Sequence, residues 1–266
     1  MLRNVFLKTL HEQRRGLLGW LASVVLIVLM YAAIWPSLRG QPSMTDFLDQ
    51  MPEAFRSLFA TSGADMSTPV GYIQIELMSF MGPMLVILYA VVQGSRSVAG
   101  EEERRTMDLL LAAPVSRARV LLEKAAAMIA GTVGLAAVLG AALVIEGRLF
   151  DMVIPVDKLA AAMLHLALLG LVFGAISLAI GAVTGSAGLS RGVPAAVAVV
   201  AYLVNGLGPM VSWLDPVQEL SPFYQYIAHD PLRNGVSGPA AAVAVATVVV
   251  LMAVAVWGFR RRDVHG

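Results

Sequence analysis

The residues of this 266-residue chain that could do chemistry fall into a few groups. Gly188-Leu-Ser-Arg-Gly192 has the Gly-x-Ser-x-Gly spacing of a serine nucleophile, but that pattern works only on a strand–turn–helix bend of an α/β fold. His11-Glu12 opens a zinc-protease pattern, yet Arg15 stands where the second histidine belongs. The three lysines, Lys8, Lys124 and Lys158, none of them after a glycine, leave no loop of the kind that wraps nucleotide phosphates. Without cysteine there is no thiol chemistry, disulfide or thiolate metal site. Two groups survive. One is a set of polar side chains inside apolar stretches: Gln74, Glu76, Glu146, His165 and Asn205. The other is the dense charge run Glu101-Glu-Glu-Arg-Arg105 with Thr106 and Asp108 behind it.

The elements that must position these groups are set by composition. Hydrophobic residues make up 58% of the chain and charged residues only 14%, with a mean hydropathy of +0.75. A soluble domain has about 25% charged residues, so this chain cannot cover a globular surface. A cytosolic enzyme, a nucleic-acid binder and a disordered protein are excluded. Six runs lack Asp, Glu, Lys and Arg: 16–38, 77–95, 125–145, 159–190, 192–214 and 234–259. About 20 apolar residues carry a helix across a bilayer core. The reading is therefore one all-α domain over residues 1–266 with six spans, near 16–38, 72–95, 120–146, 159–183, 193–214 and 239–259. The first run is longer than the apolar part of a signal peptide and is expected to be retained.

Placing the N-terminus inside puts 14 of the 19 basic residues on cytoplasmic segments and 5 outside (Arg39, Arg56, Arg148, Lys158, Arg233). That bias predicts both termini in the cytoplasm. Gly82-Pro83 predicts a kink in the second span, and Asn205-Gly206-Leu207-Gly208-Pro209 predicts an early end to the fifth. Residues 210–232, with three prolines, read as a re-entrant or interfacial element before the sixth span. Gly170-x-x-x-Gly174 and Gly181-x-x-x-Gly185 suit close helix contacts, although glycine is common in membrane helices anyway. Residues 46–59 carry Phe47, Leu48, Met51, Phe55 and Phe59 at helical spacing, as in an amphipathic helix on the outer face. The stretch from Leu2 to Arg15 reads as a similar element on the inner face.

Between the second and third spans the chain runs Gly100-Glu-Glu-Glu-Arg-Arg-Thr-Met-Asp-Leu-Leu-Leu-Ala-Ala-Pro-Val-Ser-Arg117. Pro114 should stop one helix and Ser116 should cap the next. Physically this is a short surface helix with a charged front and a leucine back; an ordinary solvated loop has the same composition. The segment resembles the coupling-helix region of ABC-2-type permeases, the membrane subunits of ABC exporters. The likeness rests on Glu101–Arg104, Thr106, Met107, Asp108, Leu109–Leu111, Pro114, Val115, Ser116, Arg117 and Lys124, and departs at Arg105, where the family usually has glycine.

The resemblance implies a cytoplasmic coupling helix, with Glu101, Glu102, Glu103, Arg104, Thr106, Asp108, Leu110, Pro114 and Arg117 at the interface with a separate ATPase subunit. It also implies a second permease subunit, identical or paralogous, with ATP and magnesium on the ATPase and no cofactor on this chain. Glu76, His165 and Asn205 are candidates to line the pathway, since ionisable groups in a membrane usually face the bundle interior; positions at the water interface or ordinary helix contacts are the plainer account of them. The expected function is export of a drug, antibiotic or lipid-like substrate across the plasma membrane, with no catalytic or metal-ligating residue. A membrane-embedded enzyme and a non-transporting scaffold are the alternatives.

Overall fold

The computed structural model describes residues 4–39, 65–107 and 115–262, with the Asp215 side chain left out. The outer amphipathic helix expected over residues 46–59, together with Asp108, Leu110 and Pro114, lies outside the described residues. Among the described residues the chain is helical, and six helices are long and apolar enough to cross a membrane. They are α1 (Val5–Leu38); α2 (Pro69–Ile73) continuing through a π-helix (Gln74–Met81) into α3 (Gly82–Ser97); α5 (Arg117–Leu149); α6 (Val156–Thr184); α7 (Ala187–Leu207); and α11 (Gly238–Arg261). The short α4 (Ala99–Glu103) follows the second span, and α8 (Asp215–Gln218), α9 (Pro222–Ile227) and α10 (Pro231–Asn234) precede the sixth.

Charge-free runs mark the spans well, but caps decide the ends. Asn4 accepts from the Leu7 N–H, and nothing after it breaks the helix. The N-terminal stretch is therefore the first part of one 34-residue α1 and not a separate interfacial element. Ser186 and Ser237 start α7 and α11 through side-chain caps, so α7 begins six residues before the expected 193. Ser116 caps α5, as expected. At Gly185 the backbone turns left-handed (φ +69°), which ends α6 two residues before α7 begins. The fifth span ends at Leu207, followed by a 3-10 turn at Gly208–Met210, where the Asn-Gly-Leu-Gly-Pro run predicted a break.

Pro83 does more than bend its helix. Its ring clashes with the carbonyl a turn back and it has no N–H, and the preceding turns widen into π geometry, with the Gly82 N–H reaching the Leu77 carbonyl. In such geometry the carbonyl partner of residue 83 is Met78, and Pro83 cannot serve it. The buried Tyr226 hydroxyl donates to the Met78 carbonyl instead, at 3.0 Å. That bond and Ser221 Oγ donating to Ala201 O (2.9 Å) tie α9 back onto the spans.

α6 is the axis of the bundle: its most apolar window is 83% buried, against 22% for α1, α7 and α11. It has no polar face, so neighbours must surround it. Its glycines let α3 and α5 come close. A Cβ at Gly170 would stand 2.5 Å from Val86 Cγ1 and 3.1 Å from Thr132 Cγ2, and one at Gly174 would stand 3.1 Å from the Ala90 Cβ. The first and last described residues, Asn4 and Arg262, lie at one end of the bundle. There the Phe6 N–H donates to Glu123 (3.1 Å) and Arg117 donates to the Arg262 carbonyl (2.6 Å). At the other end Arg39 pairs with Asp151 at 3.2 Å.

Candidate functional site

The end that holds Asn4 and Arg262 carries a charged junction built on α4. A helix advances about 100° per residue, so the consecutive acids Glu101, Glu102 and Glu103 fan out in three directions. Glu101 pairs with Lys124 of α5 at 2.6 Å. Glu102 pairs with Arg262, just past α11, and Glu103 pairs with Arg191 of α7 at 3.2 Å. Three neighbouring carboxylates thus hold three different spans.

The pairs differ in burial, and so in what they contribute. The Lys124 and Glu101 side chains are 4% and 15% exposed, whereas Arg191 and Glu103 are 53% and 62% exposed. Exposed pairs contribute about 0–1 kcal/mol; removing one partner of a buried pair costs about 3–5 kcal/mol. Burial alone would push the Glu101 carboxyl up. The hydrogen bond and charge of Lys124 outweigh it, helped by the Thr106 hydroxyl and the charge of Lys8, and hold it below the usual carboxylate range. Thr106 also returns its backbone N–H to the Glu101 carbonyl at 2.9 Å. Met107 is 1% exposed and packs with Val98, Leu121 and Phe259 beneath the junction.

Arg105 stands where the resembled family has glycine, and its φ is +55°. This is a left-handed conformation that glycine adopts freely and that costs a residue with a Cβ about 1–2 kcal/mol. Arg104 and Arg105 are exposed and form no ion pair among the described residues. Arg117 is spent on the Arg262 carbonyl. The composition predicts a charged front that faces water or a partner; the structure turns Glu101 and Glu102 inward and leaves Glu103, Arg104 and Arg105 outside. The missed partners, Arg191 and Arg262, carried no signal beyond being basic residues expected at the same end.

The three candidate pathway residues have separate surroundings. Half-buried Glu76 sits on the π-helix, within electrostatic range of Tyr31 and Tyr72. Asn205 is in the last turn of α7; its Oδ1 is buried without a partner, while its carbonyl accepts from Gln218 at 3.1 Å. His165 is 2% exposed, and its Nε2 accepts from the Ser237 N–H that begins α11 (3.2 Å). Its ring meets that of His229 edge-on, with centroids 4.4 Å apart. Burial holds His229 below the usual histidine range against the pull of Asp230, whose carboxyl burial raises. Among the described residues no hydrogen bond or ion pair joins any two of Glu76, His165 and Asn205. Ser190, the serine of the nucleophile-like pattern, lies on helix α7 and not on a strand. Its hydroxyl donates to the Ser177 carbonyl at 2.6 Å, locking α7 to α6.

Six membrane-length helices, five of them around the buried α6, with a short charged helix between the second and third, define a multi-pass membrane protein. The model of the family described as ABC-2 family transporter protein matches residues 3–264, and the chain belongs to that family. Membership makes it a membrane transport subunit, the permease of an ABC transporter system that includes an ATPase partner. None of the curated proteins matches the chain.

Proposed function

We propose that the chain is the permease of an ABC exporter in the plasma membrane. Both termini are cytoplasmic, and α4 with the turn after it receives the motion of the ATPase. What supports the reading is the three-way attachment of α4, since a push on it is passed to α5, α7 and the end of α11 together. Asp108, Leu110 and Pro114 continue the same docking element. Two permease subunits form the pathway, with Glu76, His165 and Asn205 as its polar groups and a drug, antibiotic or lipid-like compound as cargo. Exposed Arg104 and Arg105, beside Glu103, are the charges that meet the partner.

Reversing both arginines (Arg104→Glu with Arg105→Glu) should weaken association with the ATPase by about three- to tenfold at low salt. The loss should shrink as salt screens the charges, while insertion and thermal unfolding stay at wild-type values. Pull-down across salt concentrations reads this; unchanged association at every salt would remove the docking assignment. Sidedness has its own test in this cysteine-free chain. Glu12→Cys should resist an impermeant thiol reagent in intact cells, and Leu220→Cys, 82% exposed at the other end, should react. The opposite pattern would invert the topology.

A further inference from the structure

Arg260 and Arg261 close α11 and Arg262 follows it, and the three have different occupations. Arg262 is held by Glu102. Arg261 lies over the Trp257 ring, 4.6 Å from its centroid. Arg260 and Arg261 form no ion pair among the described residues, and the nearest acid on α5, Glu123, is committed to Arg119 and the Phe6 N–H. Beneath Arg260 and Arg261 runs a groove of about 540 Å³ between α5 and α11, walled by Leu122, Met252, Ala253, Val256 and Trp257. Leu122 is 50% and Trp257 55% exposed, so the groove opens sideways. Met252 lies eight residues before Arg260, about 12 Å along the helix axis. A basic mouth at helix-end level thus continues into an apolar channel running toward the middle of the span.

Basic residues at a helix C-terminus follow from its dipole; a tryptophan-braced apolar groove under them does not. We propose that this groove is a binding site for one anionic phospholipid of the leaflet at that end. Its phosphate lies between Arg260 and Arg261 and an acyl chain lies along Leu122, Met252 and Val256. Charge complementarity selects the occupant. Guanidinium groups match phosphate geometry, and basic pockets between membrane helices favour anionic headgroups. The volume falls inside the roughly 300–1,000 Å³ range of ligand clefts. By bracing α11 beside α5, the lipid stabilises the helices that carry Arg262 and Lys124. The site stands whether or not the chain exports.

The test uses the full chain in nanodiscs of phosphatidylcholine with graded phosphatidylglycerol, followed by native mass spectrometry and thermal unfolding. Wild type should retain one phosphatidylglycerol in preference to phosphatidylcholine, and its unfolding midpoint should rise with the phosphatidylglycerol fraction. Arg260→Gln with Arg261→Gln should lower the apparent affinity about thirtyfold, equivalent to about 2 kcal/mol for two interfacial arginines. Ala253→Phe, which fills the groove and keeps both arginines, should lose the retained lipid as well. Arg14→Gln with Arg15→Gln, exposed at the same end on α1, should change nothing. Equal retention of both lipids, wild-type retention by either groove variant, or an equal loss in the α1 control would overturn the site. So would a change of oligomer mass in the groove variants, which would mark the groove as a contact between copies.

Discussion

Replacing Lys124 by methionine should destabilise the junction by about 3–5 kcal/mol, because it leaves the Glu101 carboxylate buried without its countercharge. The pH dependence should also change sign. In the wild type the Glu101 carboxyl is held below its unfolded value, so its contribution is present above about pH 4.3 and is lost only as pH falls through the lower folded value. Without Lys124, burial dominates and raises the folded pKa. The variant should then be most stable in acid and lose stability as pH rises through that raised value. Adding Glu101→Gln should recover most of the loss, since a neutral amide has no countercharge to miss. Thermal unfolding against pH, run beside ATPase and transport assays of the assembled complex, reads all of this. If the double variant unfolds and transports like wild type, the pair is a tether that a neutral contact can replace. If Lys124→Met alone keeps the wild-type midpoint and pH slope, α4 is not anchored through α5.

What could be read in advance follows from how strongly each feature is forced. The spans were legible because a charge inside the bilayer is costly, so the charge-free runs outline them. Their ends were not, because a cap is one hydrogen bond: Asn4 makes α1 longer than the apolar run, and Ser186 starts α7 early. The proline at 83 marked a disturbance, but not that the backbone would widen into a π-helix and hand the Met78 carbonyl to Tyr226, 148 residues away. Charge at α4 was plain in sequence, yet the partners stand 23, 88 and 160 residues off, so no spacing could assign them. The glycine spacing on α6 was legible as a motif; which helix each glycine admits needed the structure. The positive φ of Arg105 was not legible either, because a residue with a Cβ rarely adopts it.

The second large effect lies where α3 meets α6. A Cβ on Gly94 would stand 2.5 Å from the Gly174 carbonyl oxygen, 3.0 Å from Ser177 Cβ and 3.1 Å from the Leu178 nitrogen. Two of those three atoms are backbone of the most buried helix in the bundle, so they cannot swing aside as a side-chain end could. The same spot holds the Ser177 hydroxyl, 2.9 Å from the Val91 carbonyl of α3 and 2.7 Å from the Ser190 carbonyl of α7, its proton serving one at a time. Gly94→Leu should therefore push α3 off α6, open that three-helix contact and tilt α4, which begins five residues after Gly94. The expected cost is at the top of the about 1–3 kcal/mol range for overpacking, with transport falling below detection while the chain still inserts. Gly94→Ala, which meets the same backbone atoms with one carbon, should lose less stability and keep partial transport. Gly19→Leu makes the comparison fair, because a Cβ there meets nothing within 4 Å and the change should be silent. Unfolding midpoints and transport of the three variants in one membrane decide it: if Gly94→Leu matches Gly19→Leu, the close approach of α3 to α6 does not govern this bundle, and α4 must be positioned by its ion pairs alone.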